Sequence, residues 1–180
     1  MILFSDDHIS IAKISNAAEI TSLLNLAYRG ESSRKGWTTE ADLIAGEQRT
    51  SLQEVEKLIY QPGSIFLIYC QPDVEGCVNL QQHNDAIYLG MLSVNPQLQS
   101  SGIGKKLLSA TEEYAIKQNC TSIYMTVIDV RIELINWYKR HGYADTGERK
   151  TFEEDGISGK HLQKLQFMVM RKRIKKAVQN

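Results

Sequence analysis

The sequence predicts an α/β fold of mixed, α+β-like character: a central, mostly antiparallel sheet flanked by helices. Three observations carry this prediction. Apolar runs of strand length alternate with stretches whose apolar residues recur at helical spacing. Three strand segments between residues 65 and 94 follow one another across short turns, so they form an antiparallel meander rather than βαβ units. Two further strand segments close the chain after its last helix. With 180 residues, no internal repeat and no low-complexity linker, one domain over 1–180 is the simplest organisation.

The elements follow in order. Ile9 to Ile14 alternates apolar and polar residues and reads as a first strand. Ser15 and Asn16 offer N-caps, Glu19 lies three residues after Asn16 as a capping-box partner, and Ile20, Leu23, Leu24 and Ala27 form a helical stripe ending near Gly30. Gly30 to Gly46 is polar and irregular around a lone Trp37. Thr50 or Ser51 opens the next helix, again with capping-box spacing (Ser51, Glu54), and Gln61-Pro62-Gly63 stops it. Ile65 to Cys70 is a buried strand by its length and its Ile and aromatic content. Pro72-Asp73 turns the chain into Val74 to Gln82, and His83-Asn84-Asp85 turns it into Ala86 to Val94. The helix opening at Gly102 carries Ile103, Leu107, Ala110 and Tyr114 on one face and ends near Asn119. Ser122 to Ile128 is another apolar strand. Arg131, Leu134, Ile135 and Tyr138 share one helical stripe, closed by His141-Gly142. Tyr143 to Phe152 and Leu162 to Arg171 form a final pair of strands joined by the loop 153–160.

Bulk properties exclude several classes of function. Twenty-one basic residues balance twenty-one acidic ones, so net charge gives no reason to expect nucleic acid or an anionic membrane as partner. The basic run at 171–176 lacks interleaved aromatics and reads as a solvated terminus. Cys70, Cys77 and Cys120 are odd in number and form no CxxC pair, which argues against a disulfide framework and against structural zinc. His8, His141 and His161 show no metal-ligand spacing, so no metal is expected. The first residues, Met1 to Asp7, lack the basic and apolar regions of a secretory leader, and no apolar run approaches the ~20 residues of a membrane span. A cytoplasmic protein is expected.

Chemistry concentrates in Gln99-Ser100-Ser101-Gly102-Ile103-Gly104. An apolar strand feeds this loop and an amphipathic helix leaves it. Free backbone N–H groups and a helix N-terminus then stand at the carboxyl end of a strand, where a phosphate can be held. Gly102 and Gly104 let the backbone approach a pyrophosphate with no Cβ in the way. Ser-Ser-Gly is also an ordinary loop sequence, and the glycines alone leave both readings open. The spacing is neither GxxxxGK[ST] nor GxGxxG, which excludes a nucleoside-triphosphate P-loop and a dinucleotide site.

Val94-x-Pro96 followed by Gln99-x-x-Gly102-x-Gly104 resembles the acetyl-CoA motif of the GNAT superfamily of N-acetyltransferases. Trp137-Tyr138-Lys139-Arg140-His141-Gly142-Tyr143 resembles that family's Tyr-x-x-x-Gly-Phe/Tyr ending, and the element order is similar over residues 9 to 172. The resemblance implies the GNAT acyltransferase fold, acetyl-CoA as co-substrate, and direct attack of a primary amine of a small molecule or protein on the thioester. It implies that the strands ending near Leu92-Ser93-Val94 and Ile128 splay apart, with a backbone N–H near Leu92 polarising the thioester oxygen. The expected cofactor contacts are Leu92, Ser93, Val94, Gln99, Ser100, Ser101, Gly102, Ile103, Gly104 and Lys105. The Asn that many members carry seven residues before the motif Tyr is replaced by Arg131, which is expected to reach the cofactor's phosphates. Tyr138 is the candidate general acid, since a phenol of pKa ~10 is protonated at neutral pH and can serve a thiol near ~8.5; it can equally be a packed aromatic on its stripe. Trp37 and Glu40 are expected on the acceptor side. Glu40, His83 and Asp129 are possible bases, and an amine that arrives neutral needs none. The competing function is a non-catalytic acyl-CoA sensor. A monomer or a homodimer is compatible with all of this.

Overall fold

The computed structural model describes residues 4–157 and 159–174. The start of the chain through Leu3 and the end of its basic run, Lys175 and Lys176, lie outside the described residues. In chain order the elements are β1 (Ile9–Ile11), α1 (Ala17–Tyr28), the short α2 (Gly30–Ser33), β2 (Ile44–Ala45), α3 (Leu52–Tyr60), β3 (Ser64–Cys70), β4 (Val74–His83) and β5 (Ala86–Val94). They continue with α4 (Ile103–Lys117), β6 (Ser122–Ile128), α5 (Ile132–Arg140), β7 (Ala144–Thr151), β8 (Lys160–His161) and β9 (Gln166–Arg173). Seven strands form one sheet in the order β1-β3-β4-β5-β6-β9-β7, while β2 and β8 pair separately. The sheet is mixed and mostly antiparallel, as expected: its one parallel pair is β5 with β6.

Side-chain alternation explains why β3 is apolar throughout. Leu67 and Tyr69 pack on one face with Leu107, Leu108 and Tyr114 of α4, whereas Phe66 and Ile68 pack on the other with Ile20 and Leu24 of α1 and Val55 of α3. A strand covered on both faces has no polar side to show. The sheet is thus sandwiched between α4 and α5 on one face and α1 and α3 on the other.

Several boundaries differ from expectation. β1 ends at Ile11, and a 3-10 turn at Ile14–Asn16 precedes α1. Asn16 makes no cap to α1; its Oδ1 accepts from the Lys13 N–H at 2.9 Å and closes that turn instead. Ser51 does cap α3, accepting from the Glu54 N–H at 3.3 Å. The segment between Gly30 and Gly46 contains α2 and β2. The last strand begins at Gln166 rather than Leu162, because Lys160–His161 pairs with β2, and β9 lies between β6 and β7.

Two irregularities of β5 open the sheet along its carboxyl half. It pairs with β6 only at Ala86, Ile87 and Tyr88, opposite Ser122, Ile123 and Tyr124, after which the two strands part. On its other side, Ser93 pairs with Cys77 and Gly90 with Asn79, so Met91 and Leu92 together face the single Val78. This is a β-bulge, and Met91 sits in it at φ +54°. Leu92 therefore has no ladder partner on either side.

Candidate active site

The gap between the parted strands opens into a cavity of about 630 Å³. Its floor is Leu92, Ser93 and Val94 of β5, one wall is the loop 98–104 with the start of α4, and the other is α5 with Trp137 and Tyr138. Gly102, at φ +91°, is the N-cap residue of α4, and no side chain caps this helix end. The first-turn N–H groups, which have no partner within the helix, are therefore left for a ligand. A Cβ added at Gly102 would meet no protein atom within 4 Å, and one at Gly104 would make only ordinary contact with Trp137 at 3.4 Å. Packing within the protein thus does not require glycine at 104, in the first turn of α4, where alanine would be the better helix former. The hydroxyl of Ser93 is buried in the same cavity with no hydrogen-bond partner among the described residues.

Gln99 ties this loop to the segment after α2. Its Oε1 accepts from the Trp37 N–H at 2.8 Å, and its Nε2 donates to Thr38 Oγ1 at 2.7 Å and to the Val94 carbonyl at 3.3 Å. The Trp37 ring then stands 5.9 Å from that of Trp137, which in turn packs on His141 at 4.4 Å and edge-on to Tyr138 at 5.0 Å. His141 Nδ1 bonds the Trp137 carbonyl at 2.8 Å and so holds the ring against the indole.

A second, smaller cavity of about 150 Å³ lies across the gap. Tyr28, Leu92, Leu134 and Tyr138 line both cavities. Tyr28 donates its hydroxyl to the Leu92 carbonyl. Burial, and then the Glu40 charge, push the Tyr28 phenol up to about 12. Tyr138 is 5% exposed, and burial raises its phenol well above the ordinary range, with the neighbouring Tyr28 and Tyr143 hydroxyls adding to the effect. Both phenols are neutral donors at every physiological pH.

Trp37, Leu92, Ser93, Val94, Gln99, Ser100, Gly102, Ile103, Gly104, Lys105 and Tyr138 all line the larger cavity. Ser101 does not; it is exposed, and its hydroxyl donates to the Leu98 carbonyl. Arg131, expected near the cofactor's phosphates, lines the smaller cavity instead. It is not in the body of α5 but at its N-cap, and its guanidinium donates to Glu40 Oε1 at 3.1 Å and to the Thr38 carbonyl. Glu40 is on the acceptor side as expected, but its other oxygen is taken by the fully buried Arg29 guanidinium. Both oxygens of this carboxylate are thus occupied by guanidiniums. His83 is exposed at the opposite end of the β4–β5 hairpin, against the Tyr124 ring, and neither it nor Asp129 lines either cavity. Sequence reasoning missed Trp137, His141 and Arg49. The four-residue spacing of Trp137 and His141 on one helix face was an available signal; nothing in the sequence marks Arg49.

Comparison with known proteins agrees with this geometry. A model of the Acetyltransferase (GNAT) family matches residues 19–143. A curated relative, the thialysine N-epsilon-acetyltransferase of Mus musculus, is 28% identical over 79 residues, 44% of this chain and 46% of that protein. The same enzyme from Sus scrofa is 27% identical over a stretch of the same length. The chain thus spans about half the length of the curated relatives it matches. Among solved structures, Ard1 from Thermoplasma volcanium superposes with a TM-score of 0.69 at 14% identity, covering 93% of this chain and 97% of that one. A GNAT-family acetyltransferase from Staphylococcus aureus gives 0.66 at 19% identity, over 93% and 98%. At such identities these likenesses show the fold alone. The architecture is a mixed α/β sheet flanked by helices, with two cavities meeting where strands β5 and β6 part. The chain belongs to the GNAT acetyltransferase family.

Proposed function

We propose that the protein transfers an acetyl group from acetyl-CoA to a primary amine of a small molecule or protein by direct attack on the thioester. One observation carries this reading: the uncapped N-terminus of α4, the unpartnered stretch of β5 and the buried Tyr138 all border one cavity. The residues fit such a cofactor. The bare first turn of α4 with Gly102 and Gly104 suits a pyrophosphate, and the orphaned Ser93 hydroxyl suits a polar group on a ligand lying along β5.

Acetyl-CoA supplies an acyl group already activated as a thioester. The bulge at Met91 frees the backbone of Leu92 from both ladders, so its N–H is available where negative charge develops on the thioester oxygen. Tyr28 holds the Leu92 carbonyl and keeps that peptide in place. Tyr138, whose phenol is a weaker acid than a free tyrosine, donates a hydrogen bond to the departing sulfur. Full proton transfer to a thiolate of pKa ~8.5 would be uphill from such a phenol, so its first role is to stabilise the thiolate's charge.

The test is incubation with acetyl-CoA and a panel of amines, following free CoA thiol. Turnover with at least one amine, lowered at least tenfold in kcat by Tyr138→Phe with little change in KM for acetyl-CoA, is the expected result. Tight CoA binding without turnover on any acceptor would instead favour the acyl-CoA sensor, a reading that gains from Glu40 being committed to two guanidiniums.

A further inference from the structure

The smaller cavity is cationic. Three of its lining residues carry charge: Glu40, Arg49 and Arg131. Both oxygens of Glu40 are occupied, one by Arg131 and one by Arg29 behind it, so this carboxylate neutralises guanidiniums and has none to spare for an incoming ammonium. Arg49 is different. Among the described residues, no carboxylate lies within ion-pair distance of it. It is half-buried, and its guanidinium lies 5.8 Å from the centre of the Tyr28 ring. Its backbone is fixed, since Asn25 Oδ1 accepts from the N–H groups of both Arg49 and Thr50. A pre-positioned, unpaired guanidinium facing a small cavity is a receptor for a planar anion.

We propose that the acceptor is a small amine that itself carries a carboxylate, an amino-acid-like compound, and that Arg49 holds that carboxylate in the smaller cavity. The inference rests on the acetyltransfer reading above and deepens it. The rest of the cavity agrees with a small, partly apolar molecule: Met91, Met125, Val127, Ile128, Phe152 and Phe167 line it, and about 150 Å³ is below the range of ordinary ligand pockets. The same charges answer the question of the missing base. Guanidiniums near an amine disfavour its protonated form, so the amine is held neutral and nucleophilic without a carboxylate to deprotonate it. A polycation meets the opposite situation, with the like charges of Arg49 and Arg131 in the lining and its one carboxylate, Glu40, already paired.

The experiment compares each of several small amino acids with its own decarboxylated amine and its methyl ester, under saturating acetyl-CoA, by thiol release. The expected result is kcat/KM at least tenfold higher for the carboxylate-bearing member of a set. That ratio collapses toward one in Arg49→Met and is largely kept in Arg49→Lys. Preference for the decarboxylated amine or the ester overturns the proposal, as does a ratio that Arg49→Met leaves unchanged. Should Arg49→Met fail to fold, the wild-type ratio decides alone. An absence of turnover on these compounds and on every other amine tried overturns the acetyltransfer reading and this proposal together. Turnover confined to uncharged or polycationic amines overturns only the proposal.

Discussion

Replacing Glu40 tests the electrostatic reasoning most directly. In Glu40→Gln the side chain keeps its shape but loses its charge. Arg29, whose side chain is fully buried, and Arg131, 9% exposed, then both lose the carboxylate they share. Removing one partner of a buried ion pair costs about 3–5 kcal/mol, because the remaining charge stays desolvated. The carboxylate keeps 10% exposure, so water reaches the cluster, and the lower end of about 3 kcal/mol is appropriate. For a chain of this length that is a fall in Tm of roughly 6–12 °C. The assay is thermal and urea unfolding of wild type and variant at pH 7. The control is Glu31→Ala, which removes the pair with Arg34 in which Glu31 is 88% exposed, and which is expected to cost under ~1 kcal/mol. A combined Arg29→Met, Glu40→Leu variant should recover part of the loss, since an apolar pair leaves fewer buried charges unmatched. A cost below about 1 kcal/mol for Glu40→Gln, equal to that of the surface control, would refute the claim that this triad is a desolvated cluster.

Other expectations rest on the same structure. Gly104→Ala adds a methyl in ordinary contact with Trp137 and Val94, so it should stabilise the fold by a few tenths of a kcal/mol through helix propensity while weakening CoA binding at least tenfold by calorimetry; unchanged affinity would mean that no ligand approaches that backbone. In alkali, Tyr28 has a folded-state pKa raised to about 12 from its usual 10, so its contribution to stability is complete below pH 10 and is lost as pH rises toward 12. That loss is on the order of 2–3 kcal/mol, and denaturation midpoints across that window should flatten in Tyr28→Phe. Gln99→Leu removes both bonds to the Trp37–Thr38 segment, so acetyl-CoA binding should weaken and tryptophan emission should shift; identical spectra and affinity would show the tie to be incidental.

Periodic and punctuated parts of the chain were legible. The β3–β4–β5 meander was readable because turn residues flank apolar runs, and α4 because one face repeats at helical spacing. The position of β9 was not, because β7 is exposed at all eight residues and offers no alternation from which to infer a partner. The bulge at Met91 was equally silent: a positive φ there is carried by a residue with no turn preference, set by the mismatch of β4 and β5 rather than by local chemistry. Arg131 was misjudged because motif position says where a backbone lies, not which way a long side chain turns. Its partner, Glu40, is 91 residues away in sequence. Gln99 is the same case in reverse, legible as a loop residue while its bonds to Trp37 and Thr38 depend on a segment read as irregular.

The placement of the two cavities comes from one topological choice. A parallel β5–β6 pair needs a crossover, and α4 supplies it. The crossover helix necessarily starts at the carboxyl end of β5, so its positive N-terminus and the open ends of both strands face the same edge. Full pairing of β5 and β6 to their ends would seal that edge. Because β5 stays on β4 through Val94 while β6 stays on β9 through Ile128, the pair separates after three residues and the sheet is pierced. A ligand anchored on α4 and one held by Arg49 then reach the sheet from opposite sides, and the residues common to both cavities are Tyr28, Leu92, Leu134 and Tyr138. Two of these are neutral phenols and one is a backbone freed by the bulge. Hydrogen-bond donors without formal charge thus collect at the junction, while the formal charges stand away from it: Glu40, Arg49 and Arg131 in the smaller cavity, and Lys105, Glu133 and Arg140 in the larger.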